Sequence, residues 1–236
     1  MHRILALIVA RDNSKRLPGK NVRMLGGRPL IVHTFEAAKA AHSLDRIVLS
    51  TDSQHMADLA RCHGVDVPFL RPAELAGDHS RVIDTALHSL RWLAEHEEYV
   101  ADYVMLLQPT SPFRTAQDID AAVRLAEINN AEAVVGVTEV EAHPGLTRRI
   151  DAAGRLTRLP GAENWSQDLP ALHAINGAMY LVRTDFLFKD QCWCPDRALA
   201  YVMPHERAMD IDTERDFKLA ELILQDRLDH GYEVAA

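Results

Sequence analysis

Four cationic side chains, Arg11, Lys15, Arg16 and Lys20, fall within the ten residues 11–20 of the segment Arg11-Asp12-Asn13-Ser14-Lys15-Arg16-Leu17-Pro18-Gly19-Lys20-Asn21. Cations at that density, set among turn formers, suit a polyphosphate, which they would grip together with converging backbone N–H groups. The segment spells neither GxxxxGK[ST] nor GxGxxG, so the usual mononucleotide and dinucleotide loops are disfavoured. A solvated basic surface loop is the plain alternative. The triplet Asp210-Ile211-Asp212 is the second feature. In an extended chain Ile211 points into the fold and both carboxylates point the other way. Two neighbouring oxygen ligands suit Mg2+ riding on a triphosphate; Glu214 lies close in sequence. Helix capping and a favourable place on the helix dipole would account for the same acids without a metal.

The third feature is Gln108-Pro109-Thr110-Ser111-Pro112-Phe113-Arg114. Its amide and hydroxyls can bond a hydroxylated ligand, and Arg114 can meet a carboxylate with two N–H groups. Equally, Ser and Thr can cap the next helix while Arg114 pairs internally. Asn176-Gly177 offers a sugar-binding amide beside a residue that allows close backbone approach, or only a turn before a strand. Arg71 and Ser80 flank a polar stretch, 72–79, with the reach to meet a base.

These residues need elements to position them. Ile4 to Ala10 is a short apolar run of the kind that fills a parallel sheet, so the cationic loop lies beyond a strand's carboxyl end. Pro29 opens a helical stretch, Arg46 to Ser50 reads as a strand, and Ser53 to His63 as a helix stopped by Gly64. A helix follows over 80–96, then a buried strand from Tyr103 to Gln108. Thr115 is placed to cap a helix running to Ile128, and Ala133 to Val140 is the next strand. The alternation predicts an α/β fold, a mostly parallel sheet flanked by helices, with ligands at the carboxyl edge. From Glu141 to about Pro170 the composition turns to His, Pro, Gly, Arg and Asp, with a hairpin predicted around Gly154. We read one domain over 1–236 with a small inserted lobe at about 141–170. Strands at Ala178 to Val182 and Ala198 to Val202 precede a last helix, 213–228, with Thr213 and Asp216 at capping-box spacing.

Composition narrows the partners. A net charge of −8 argues against a nucleic-acid polymer but not against a small anion held in a local basic pocket. Three cysteines, Cys62, Cys192 and Cys194, form no redox or zinc spacing, and His143, His173 and His205 are scattered. No run reaches membrane-spanning length, and the apolar start is read as a first strand rather than a leader, so the expected setting is cytoplasmic.

The segments Leu7 to Asn21, Leu49-Ser50-Thr51-Asp52, Val67 to Pro72, Leu106 to Arg114, Gln167-Asp168-Leu169-Pro170, Asn176 to Tyr180 and Asp210-Ile211-Asp212-Thr213 occur in an order that resembles the acylneuraminate cytidylyltransferases, the CMP-sialic acid synthetases and their bacterial relatives. The resemblance covers nearly the whole chain. It implies a Rossmann-like nucleotidyltransferase fold, a homodimer reached by the inserted lobe, and transfer of CMP from CTP to the C2 hydroxyl of a nonulosonic 2-keto sugar acid with Mg2+, releasing pyrophosphate. It implies that Arg11, Ser14, Lys15 and Lys20 hold the triphosphate and that Asn21, Arg71 and Ser80 contact the cytidine. Gln108, Asn176, Gly177 and Tyr180 would line the sugar site. Asp210 and Asp212 would bind the metal, and Arg11, Lys20 and Asp212 would act in catalysis. The chain departs from the family pattern at Val9, where Pro is usual, at Asn13, where Gly is usual, and at Ser166, where a basic residue is frequent. A Kdo-type sugar acid as acceptor, another nucleotide base, or a non-catalytic nucleotide-binding relative are the alternatives.

Overall fold

A computed structural model describes residues 2–12, 17–77, 80–141, 143–158 and 171–229. Ser14 and Lys15 of the cationic loop, Asn13, and the lobe residues 159–170, Ser166 among them, lie outside the described residues. Ten strands and six helices are described: β1 Ile4–Val9, β2 Met24–Leu25, β3 Arg28–Pro29, α1 Leu30–Ala40, β4 Arg46–Ser50, α2 Gln54–Cys62, α3 Val82–Glu97, β5 Tyr103–Leu107, α4 Ala116–Asn129, β6 Ala133–Glu139, β7 Arg148–Ile150, β8 Leu156–Arg158, β9 His173–Arg183, α5 Thr184–Asp190, β10 Leu199–Val202 and α6 Glu214–Asp229.

Six strands form one sheet in the order β10-β6-β9-β5-β1-β4. β1 runs parallel to β4 and β5, and β10 parallel to β6, whereas β9 is antiparallel to both neighbours. The central strands are apolar throughout because helices cover both faces. On one face Ile31, Val32, Phe35, Met56 and Ile119 of α1, α2 and α4 pack against Ala6, Ile8 and Met105. On the other, Ile83, Leu87, Leu90 and Leu187 of α3 and α5 pack against Leu5, Leu7 and Val104. A third cluster sets α6 through Phe217, Ala220 and Leu224 against Leu25, Leu30, Phe113 and Ile211. The fold is the mixed α/β Rossmann-like arrangement expected.

Local signals act where they were read. Ser53 caps α2 by accepting from the Met56 amide, and Thr115 with Asp118 makes a full capping box on α4. Thr213 and Asp216 exchange the same pair of bonds at the start of α6. The Gly154 hairpin forms as β7 and β8. Two readings need correction. The strand expected from Ala178 begins at His173, so Asn176-Gly177 is inside β9 and not a turn before it. Pairing with β6 skips between Val135 and Val137, and that irregularity absorbs the left-handed Gly177, φ +76°. Helix α5 escaped the sequence reading: seven residues are too short to show a helical period. Among the described residues no helix is long and apolar enough to cross a membrane.

Candidate functional site

Strand order places the site. From β1 the chain proceeds to β4 on one side, while β5 lies on the other, so the loops after β1 and β5 diverge and leave a crevice. Because β9 runs antiparallel, its beginning reaches the same edge at which β5 ends; Met179 pairs with Leu107. Gln108, Asn176 and Gly177 therefore stand on one flank of the crevice, and Arg11, Asn21, Arg71 and Ser80 on the β1 and β4 flank.

The Asp210-Ile211-Asp212 strip closes the join. Its Ile211 is fully buried in the cluster under α6, and the Ile211 amide donates to the Thr110 carbonyl at 2.8 Å. Burial of the central residue turns both carboxylates outward, as the alternation of an extended chain requires. Lys20, only 9% exposed, reaches the strip from the other flank. Its Nζ donates to the Ile211 carbonyl and to Asp212 Oδ1, each at 2.9 Å, the latter across 192 residues of sequence. Burial raises the Asp210 carboxyl above its ordinary value; a bond from Thr110 opposes this, Asp212 adds to it, and Lys20 opposes it. Two acids and a buried ammonium thus share one spot, an arrangement able to neutralise and orient a polyanion. Among the described residues no group of three His, Cys, Asp or Glu side chains is disposed to hold a metal.

On the β1 and β4 flank, Asn21 Nδ2 donates to the Arg11 carbonyl at 3.3 Å, and an Arg11 guanidinium N–H donates to the Gly77 carbonyl at 3.3 Å. Ser80 Oγ donates to the Glu74 carbonyl, so Ser80 is tied to the short turn at 73–75. Arg71 is 6% exposed and donates to Ser50 Oγ and to the carbonyls of Ala10 and Ser50. It ties the ends of β1 and β4 together beneath the loop, and burial drops its pKa to about 10.

On the other flank, a Cβ on Gly177 would stand 2.8 Å from Gln108 Oε1, so glycine lets the amide of Gln108 lie against the backbone. Asn176 Oδ1 accepts from the Ala178 amide, and a Cβ on Gly136 would meet that oxygen at 2.8 Å. The Asn176 Nδ2 is buried with no hydrogen-bond partner among the described residues, a donor directed by its own side chain's anchoring. Tyr180 lies mid-strand against the Trp193 ring, 6.2 Å between centroids, and burial with nearby Cys194 and Asp210 raises its phenol.

For two charged residues the structure decides between the readings that the sequence leaves open. Arg114 does not face a ligand carboxylate: it is 2% exposed and donates to the carbonyls of Ala178 and Gln108 and to Thr34 Oγ1. It pins the Gln108 loop to β9 and α1. Glu214 is no third metal acid, because Arg23 holds it through both guanidinium arms while stacking over Phe217. Thr110 and Trp193 were not singled out as site residues. A buried-strand terminus flagged Thr110's loop, but nothing in the local pattern around Trp193 announces its place beside Tyr180.

The cytidylyltransferase family matches residues 5–221. The chain is 36% identical over 227 residues to the CMP-N,N'-diacetyllegionaminic acid synthase of Legionella pneumophila subsp. pneumophila, covering 94% of this chain and 97% of that protein. It is 33% identical over 217 residues to an N-acylneuraminate cytidylyltransferase of Streptococcus agalactiae, covering 90% of this chain and 51% of that one, so it spans about half of that relative's length. Among solved structures, a CMP:2-keto-3-deoxy-manno-octonic acid synthetase complexed with CTP superposes with a TM-score of 0.72 at 17% identity, covering 95% of this chain and 99% of that chain.

Proposed function

This chain belongs to the cytidylyltransferase family, and on that premise we propose how its carboxyl-edge crevice carries out the transfer. The reaction moves CMP from CTP to a nonulosonic, sialic-acid-like sugar acid. The observation that carries the assignment of residues is the buried Lys20 bonded to Asp212, which brings the cationic loop and the acidic strip to one point.

The sugar's C2 hydroxyl oxygen attacks the α-phosphorus, the bond to the β-phosphate oxygen breaks, and pyrophosphate leaves. The protein's work is positioning and charge neutralisation. Lys20 and Arg11, with Ser14 and Lys15, hold the triphosphate and offset charge growing on the leaving group. Asn21 and Ser80 shape the cytidine side. Arg71 belongs to the same side, its Nε and Nη2 bonded to Ser50 and to the Ala10 carbonyl beneath the loop. Gln108, Asn176, Gly177 and Tyr180 line the sugar side, with the unpartnered Asn176 amide as a ready donor to a hydroxyl.

Asp210 and Asp212 fit Mg2+, a hard cation that takes a few carboxylate oxygens and completes its shell with water and substrate phosphate, so no larger protein cluster is required. When bound there, Mg2+ would supply charge neutralisation on the triphosphate. Asp212, beside Lys20 at the mouth of the crevice, is the proton acceptor in this proposal.

The inserted lobe serves as a homodimer contact in this proposal. Ile150 and Leu156 stand 69% and 70% exposed on its hairpin, an apolar pair that a second copy would cover. The chain acts in the cytoplasm, where CTP is available, as one nucleotidyltransferase domain over 1–236.

Pyrophosphate release from CTP, with Mg2+, is to be measured against N,N'-diacetyllegionaminate, N-acetylneuraminate, pseudaminate and a Kdo-type acid. Release with a nine-carbon acid is expected. Release with the eight-carbon acid alone, or with none while CTP still binds, would overturn the acceptor assignment.

A further inference from the structure

Lys20 and Asp212 meet across 192 residues of sequence, and their contact is one that substrate must loosen. In the proposed reaction Lys20 turns toward the triphosphate and Asp212 takes part in transfer. Their own bond then no longer holds the two segments in register. A second tie joins the same segments through residues not assigned to substrate. Lys20 opens one turn of 3-10 helix, Lys20–Val22, and the Arg23 amide closes it by donating to the Lys20 carbonyl at 3.2 Å. The Leu30 amide donates in turn to the Arg23 carbonyl at 2.9 Å. On the other segment, the Asp212 and Thr213 amides donate to Asp216 Oδ2 at 3.1 and 2.8 Å, and Glu214 is the first residue of α6. Arg23 and Glu214 bridge the two. One guanidinium arm donates to Glu214 Oε1 at 2.8 Å and the other to Oε2, with the guanidinium carbon 4.1 Å from the centre of the Phe217 ring.

An exposed ion pair ordinarily adds little to stability, and these side chains are 36% and 49% exposed. This pair differs in geometry. The two-armed bond fixes the guanidinium against the carboxylate, and the ring of the fully buried Phe217 fixes it against the core. Neutralising a phosphate in the transition state demands donors held close to their productive positions, which a four-carbon lysine stem does not secure by itself. Resting on the transfer reading above, we propose that Arg23 and Glu214 are positioning residues: their clamp keeps Lys20 and Asp212 in register when each gives up the other for substrate.

Arg23→Gln, Arg23→Lys and Glu214→Gln are compared with the natural chain in two assays. One is calorimetric titration of CTP with Mg2+; the other is pyrophosphate release with the nine-carbon acid that the natural chain accepts. Each variant should bind CTP about fivefold more weakly and lose about tenfold in kcat, with KM for the sugar within about twofold. Arg23→Gln and Glu214→Gln change the net charge in opposite directions, so a long-range charge effect would move CTP affinity in opposite senses. A broken clamp weakens CTP in both. In a Lys20→Ala background Arg23→Gln should add less than about twofold to either loss, because no ammonium is left to position. Opposite shifts in the two glutamine variants, unchanged CTP affinity and kcat, full turnover in Arg23→Lys, or an undiminished further loss in the Lys20→Ala background would overturn the proposal. If the natural chain binds CTP yet transfers to no sugar acid, the reaction assigned above falls, and the CTP titrations alone decide for or against the clamp.

Discussion

Replacing Lys20 by Ala separates what the side chain does for the fold from what it does for transfer. In the folded chain its Nζ donates to the Ile211 carbonyl and to Asp212, both at 2.9 Å. The Asp212 side chain is 38% exposed, so solvent screens that ion pair and its share of stability is at most about 1 kcal/mol. Loss of the bond to the Ile211 carbonyl adds about 1 kcal/mol. A stability loss of about 2 kcal/mol in all would lower the melting temperature by roughly 4–8 °C in a chain of this size. The catalytic cost is larger. A preorganised donor facing charge that develops in the transition state is worth about 3 kcal/mol, or roughly 100-fold in turnover. The assay pairs a denaturant melt with pyrophosphate release under saturating CTP and sugar. Small destabilisation with a ~100-fold fall in kcat is the expected split. Near-normal kcat would refute the role of Lys20; so would a Lys20→Arg variant that regains stability and full turnover together, since the wider guanidinium cannot reproduce one ammonium's two contacts.

Two further outcomes follow from particular contacts. Gly177→Ala forces a side chain onto a backbone at φ +76° and into Gln108 Oε1, so it should cost about 1–2 kcal/mol in a urea melt and raise KM for the sugar more than KM for CTP; equal effects on both would deny Gln108 its side of the site. Asp118, its side chain 1% exposed, is pushed up by burial but held below its ordinary carboxyl value by the stronger combined bonds of Arg207, Thr115 and Tyr201. A depressed carboxyl contributes stability above its unfolded pKa and loses it as pH falls through the folded pKa. Asp118→Asn should therefore be about 2–4 kcal/mol less stable at pH 7, with the gap to the natural chain closing as pH drops below about 4; a gap independent of pH would mean that the charge of Asp118 contributes nothing.

Much of this was legible along the chain. The run Arg46 to Ser50 is a strand with the same ends, because the apolar Ile47-Val48-Leu49 set between polar turns leaves little choice. Thr115 caps α4 and Gly154 turns a hairpin, since both effects are settled within a few residues. The outward pairing of Asp210 and Asp212 about a buried Ile211 follows from the two-residue period of extended chain. Strand direction is different. The apolar residues of β9 read the same whether it runs with β5 or against it, so only the finished sheet shows that Asn176-Gly177 arrives at the crevice from inside a strand.

Side-chain chemistry alone thus singled out the groups proposed to meet a triphosphate and a sugar acid: cations near the start, an amide and hydroxyl loop in the middle, two acids near the end. It could not say which charges stay in water. Arg114 looks like a ligand contact in one dimension, yet it is buried and bonded to carbonyls, while Lys20 and Asp212 meet across 192 residues. Whether a charge serves the fold or a substrate depends on the burial and partners around it, and those are set by long-range packing, which no local pattern records.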